Sequence, residues 1–263
     1  MLFSSFLLSL FAAFLIGSIW VTILTVTAER AGSKVGGVVG GLPSTVVFSF
    51  LFIGFNQSST AVVQATTIYP LAFGCTCAFL LFFALFSERG FFIDILISLI
   101  GWFLVASLFV ISGISNFAFS LIGGVAIAAC IYIILAKKLR LKNLPGTRTH
   151  YGNRQLLGRA ALAGSLVLIA VLLSQTLGPK IGGVFSAFPA VYTSTLYILT
   201  KNRGIAFSRS MTKPLLLSGL FSVIPYCIAV RYLFPILGIW LGTFVSYAIA
   251  TPWAVLSYRI TSA

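Results

Sequence analysis

Only 3 of the 263 residues are acidic, and His150 is the single histidine, so the groups that general acid–base and metal chemistry need are scarce. Charged residues make up 8% of the chain. A soluble domain carries about 25%, so a water-facing surface could not be kept solvated here. That shortage excludes a cytosolic enzyme, a secreted disulfide scaffold and a disordered segment. Four cysteines are present, Cys75, Cys77, Cys130 and Cys227, all inside apolar stretches. Cys75 and Cys77 are two apart, which on a helix points them to different sides. With no histidine near them they read as inert thiols rather than a metal or redox pair.

What the chain has in quantity is apolar surface: 59% hydrophobic residues, 14% aromatic ones and a mean hydropathy of +1.11. It reads as an all-α polytopic membrane protein. A spanning helix needs ~20 mainly apolar residues, and nine such stretches are predicted: 6–28, 36–55, 64–87, 91–112, 117–136, 160–177, 182–200, 209–230 and 233–257. The first lacks a basic n-region and a small-residue cleavage pattern, so it is taken as a helix and not as a signal peptide.

The cations set an expected orientation. Lys137, Lys138, Arg140, Lys142, Arg148, Arg154 and Arg159 fall in one linker, as a cytoplasmic loop would place them. Anionic headgroups are the expected partner of that loop. A nucleic-acid arm would interleave aromatic residues, and only Tyr151 is there, so no nucleic-acid partner is expected. Of the 17 basic residues, the nine-span count leaves only Lys180 and Arg231 on the opposite side. The N-terminus is then outside and the C-terminus cytoplasmic, in a cell inner or plasma membrane.

A weak repeat runs through the chain. Gly32-Ser33-Lys34-Val35-Gly36-Gly37-Val38 leads to Pro43, and Gly178-Pro179-Lys180-Ile181-Gly182-Gly183-Val184 leads to Pro189, 146 residues later. Asn56 meets Asn202 at the same offset. Pro70 meets Pro214 after a small gap, as Gly101 and Phe103 meet Gly242 and Phe244. This suggests a four-helix repeat over 1–115, a linking helix and basic loop over 116–159, and a second repeat over 160–263. One linking span inverts the second repeat, a plan recurrent in secondary transporters.

The Gly/Pro motif has two readings. Small residues every four positions let helix backbones approach closely, which is a packing role. Interrupted segments at matching positions of two repeats also mark a midplane substrate site. On the second reading Gly41, Pro43, Ser44 and Thr45 face Pro189, Tyr192 and Thr193, with Lys34 and Lys180 near the two mouths. Asp94 lies about one turn inside its span. It is either an interfacial partner for Arg89 or, with Arg89, an inner gate. No nucleophile–base pair can be drawn, so catalysis, cofactors and bound metal are not expected.

Residues Ile181-Gly182-Gly183, Phe188-Pro189, Tyr197-Ile198, Arg203-Gly204-Ile205, Arg209 and Ile224-Pro225-Tyr226 carry a likeness. Through them the stretch from about 178 to 250 resembles the GlpM family of small bacterial inner-membrane proteins. The first half keeps Val35-Gly36-Gly37 and Leu42-Pro43 but lacks the Arg-Gly-Ile and Ile-Pro-Tyr segments. The resemblance implies two GlpM-like units fused head to tail through an extra helix. It also implies an envelope setting linked to exopolysaccharide (alginate) production, and it supplies no catalytic residues. The expected function is a small-solute carrier or permeation pathway. The alternative is a non-transporting scaffold or assembly component of envelope polysaccharide synthesis. Substrate and oligomeric state are not readable from the sequence.

Overall fold

Apolar segments of this length have no water to pair with their backbone N–H and C=O groups, so they pair along a helix. The computed structural model, which describes residues 2–30, 42–87, 89–141 and 152–262, is built that way. In chain order the helices begin with α1 (Leu2–Arg30), α2 (Thr45–Asn56), α3 (Ser59–Phe86), α4 (Phe91–Ile111) and α5 (Phe117–Ile133). They continue with α6 (Asn153–Leu177), α7 (Pro179–Ser186), α8 (Ala190–Arg203), α9 (Ile205–Ser210) and α10 (Thr212–Ser262). A π-helical turn, Ile134–Lys138, prolongs α5. No strand occurs among the described residues.

Seven described helical stretches are long and apolar enough to cross a membrane. Large apolar side chains such as Leu8, Phe92, Leu104, Phe119, Ile236 and Phe244 point outward, while Thr66, Ser98, Ser120 and Ser174 are buried. A soluble bundle shows the reverse. The chain is a multi-pass membrane protein.

α3 is the axis of the bundle, packed against α2, α4, α5, α7 and α10. Pro70, inside α3, cannot donate to the Thr66 carbonyl one turn back. The Cys227 thiol of α10 lies 3.8 Å from that oxygen and donates to it. Gly124 of α5 crosses at the Pro70 carbonyl and Gly183 of α7 at the Ala65 carbonyl, each so closely that a Cβ would collide. α1 lies along α6, where the Ser18 hydroxyl donates to the Ala160 carbonyl at 2.9 Å.

Three boundaries differ from those the sequence suggests. The described part of the second span starts at Thr45, after a non-helical Leu42–Ser44; Lys34 and Gly41 lie outside the described residues. The seventh is two helices, α7 and α8, parted at Ala187–Pro189. The last two spans are divided at Gly238, not at 231–232. Gly238 has φ 73° and ψ 176°, values that suit glycine and no helix. A Cβ on Gly242 would lie 3.3 Å from Phe234 Cα. Eight residues of straight helix would separate them by about 12 Å, so α10 folds back on itself there. Arg231, between the two expected spans, finds acceptors on α3 and stays helical.

Contacts sort the connections into two ends. At one, Gln57 Nε2 donates to Ser174 Oγ at 2.8 Å and Lys180 Nζ to the Ile114 carbonyl at 3.2 Å. At the other, Gln155 Nε2 donates to Asn202 Oδ1 and Lys213 Nζ to the Leu141 carbonyl, both at 3.2 Å. Ile114 and Leu141 bracket α5 and its π-turn, so the ends are about 30 Å apart.

Candidate functional site

The interrupted segments come first. Pro43 is buried, and Ser44 caps α2 by position only, with no side-chain hydrogen bond to the helix. Thr45 is buried in the first turn. One turn on, Ser49 Oγ is buried without a partner. α2 itself is wedged among α1, α3, α6, α7 and α10.

Six side-chain atoms on α1, α2 and α10 are buried with no hydrogen-bond partner among the described residues: Trp20 Nε1, Ser49 Oγ, Ser222 Oγ, Tyr226 OH, Ser246 Oγ and Tyr247 OH. Ring contacts join several of them through the neighbours of Ser49. Trp20 meets Phe48 at 5.7 Å and Tyr247 at 6.1 Å. Phe50 meets Tyr69 at 5.3 Å and stacks on Tyr226 at 6.5 Å. Each desolvated hydroxyl left unpaired costs ~1–3 kcal/mol, and a bilayer supplies no substitute donor. The set is hydroxyls, phenols and one indole, all neutral, able to donate to and accept from a polar solute.

The second interruption is tied down. The Thr76 hydroxyl donates to the Ala187 carbonyl and receives the Trp102 Nε1 proton at 3.2 Å. Trp102 packs edge-on against Phe188 at 5.1 Å. Pro189 is buried. Tyr192 OH is spent on the Leu215 carbonyl at 3.1 Å, in a position left open by Gly219. Thr193 Oγ1 is buried and has no partner. Gly182 and Gly183 are pressed on α6 and α3 backbone, so the packing role holds for this glycine pair.

Lys180 bonds the Ile114 carbonyl and is half-buried. Asp94 is fully buried in the first turn of α4, and neither carboxylate oxygen meets a well-aligned hydrogen-bond donor among the described residues. Arg89 is exposed, with its guanidinium carbon 5.0 Å from the Phe86 ring centroid. Arg89 nevertheless acts on the Asp94 carboxylate through its charge and its backbone N–H.

The sequence reading brought Ser44, Thr45, Tyr192 and Thr193 forward and missed the Trp20–Ser49–Tyr226–Tyr247 group. Serine, tyrosine and tryptophan inside apolar runs have no spacing that separates them from packing residues. Cys130 also departs from expectation: it is exposed, while the other three thiols are buried.

Residues 156–263, most of α6 through α10, match the model of a family described as a protein of unknown function (DUF3147). No curated protein matches the chain. No solved structure matches it either.

Proposed function

We propose that this protein is a small-solute carrier or permeation pathway whose polar route passes the group around α2. The observation that carries the proposal is the Trp20, Ser49, Tyr226 and Tyr247 group: buried, neutral polar atoms in a membrane interior with no partner among the described residues, where such groups mark substrate paths. The proposed frame is nine spans arranged as two inverted four-helix units, with the N-terminus outside and the C-terminus in the cytoplasm. Support comes from the non-helical Leu42–Ser44 and Ala187–Pro189, whose prolines are 146 residues apart. Ser18 and Gly164, also 146 apart, meet each other, as equivalent positions do at a two-fold axis. The proposed units are GlpM-like, and the family match covers the second of them. The inner membrane and a headgroup-bound basic loop belong to the same proposal.

A second reading, a packed scaffold of envelope polysaccharide synthesis, draws on the filled contacts of Gly182, Gly183 and Tyr192. Reconstitution into liposomes with a panel of labelled solutes separates the two. The carrier reading expects specific uptake by wild type that falls in Lys180→Ala and Pro189→Ala. Folded wild-type protein that takes up none of the panel favours the scaffold.

A further inference from the structure

Arg231 is a cation embedded in a spanning helix. Its Nη1 donates to the Val63 carbonyl at 2.8 Å, to Thr67 Oγ1 at 3.0 Å and to Thr66 Oγ1 at 3.2 Å. Its guanidinium carbon lies 4.4 Å from the centroid of the Phe117 ring. Every acceptor is neutral. All the bonds fall on Nη1, although a guanidinium carries five N–H donors. The side chain is half-buried, with the Nη2–Nε edge left over, and that edge has the geometry of bidentate oxyanion recognition.

A second cation bonds the same short connection. Lys180 holds the Ile114 carbonyl while Arg231 covers Phe117, so two positive charges flank one short connection between α4 and α5. The chain has three acidic residues, Glu29, Glu88 and Asp94. Asp94 sits at the opposite end of α4 from Ile114, about 30 Å away along the helix. The recorded partners of Arg231 and Lys180 are all uncharged. Among the described residues, two partly desolvated cations with neutral acceptors and no countercharge leave a site short of negative charge.

We infer that Arg231 and Lys180 form a binding site for an oxyanion, a phosphate or carboxylate group, at the end of the bundle that carries Ile114–Phe117. The Nη2–Nε edge of Arg231 takes two oxygens and the Lys180 ammonium neutralises the remainder; Thr66 and Thr67 hold the guanidinium in place. If the carrier reading is right, this is the mouth that selects anionic solutes. The binding itself does not depend on that reading and is measured without transport.

The test is thermal unfolding of the purified full chain in a neutral detergent. It is titrated with inorganic phosphate in one arm and short-chain phosphatidylglycerol in another, with chloride as the ionic-strength control. The inference expects saturable stabilisation by at least one of the two. Apparent affinity should weaken about tenfold or more in Lys180→Gln and in Arg231→Gln, with smaller loss in Arg231→Lys. A response to phosphate identifies a soluble anion, and a response to the lipid alone identifies a headgroup. If Arg231→Gln does not fold, Lys180→Gln and Arg231→Lys carry the comparison. No stabilisation beyond chloride, or an equal shift in wild type and the folded variants, would overturn the inference.

Discussion

Gly183→Leu is expected to abolish the folded, monodisperse protein in mild detergent, while Gly158→Leu leaves it intact. A Cβ at Gly183 would run into the Ala65 carbonyl, and Ala65 Cα would be only 3.0 Å away. Neither partner can retreat, because α3 is enclosed by five other helices. Ordinary overpacking costs ~1–3 kcal/mol; a branched side chain driven into backbone at the bundle's axis should reach or pass the upper figure. Gly158 is also helical, but a Cβ there meets nothing within 4 Å. Leucine is the better helix former, so that variant should be neutral or slightly stabilised. Size-exclusion profiles and Tm values check both. A well-folded Gly183→Leu would mean that α7 does not cross α3 at this point.

The second large effect separates activity from stability. The combined variant Ser49→Ala, Tyr226→Phe, Tyr247→Phe removes three oxygen atoms and keeps every ring and Cβ. Those oxygens have no partner among the described residues, so their removal should leave Tm unchanged or raise it. Replacing an unsatisfied polar group by an apolar one of the same shape is neutral or favourable. Uptake should fall by a much larger factor, since each hydrogen bond of ~1.4 kcal/mol lost to the solute is worth about tenfold. A lower Tm with uptake unchanged would make the oxygens structural and the group no pathway.

How legible this was depends on the residue type. Pro189 marks the interruption between α7 and α8 and Pro43 stands just before α2 begins, whereas Pro70 stays inside α3, so proline alone did not say which sites are interrupted. Gly182 and Gly183 were legible as packing residues, since their spacing is the signature of close helix contact. The division of the last two spans lies at Gly238 rather than at 231–232, because Arg231 stays helical. The deciding fact, carbonyl and hydroxyl acceptors on α3 some 165 residues away in sequence, exists only after folding. The group around α2 was invisible for a similar reason. Whether Ser49 or Tyr226 has a partner is a property of five neighbouring helices, not of its own. Asp94 was read correctly as lying inside its span.

The arrangement of the two halves can be measured directly. Lys34, Lys180 and Lys213 are changed one at a time to cysteine in a background where the exposed Cys130 is serine. Each is then labelled with a membrane-impermeant maleimide in sealed vesicles of known orientation. Two units lying upside down to each other predict that Lys180→Cys reacts from one face while Lys34→Cys and Lys213→Cys react only from the other. Labelling of Lys34→Cys and Lys180→Cys from the same face would contradict the inverted arrangement, and the carrier account would fall with it.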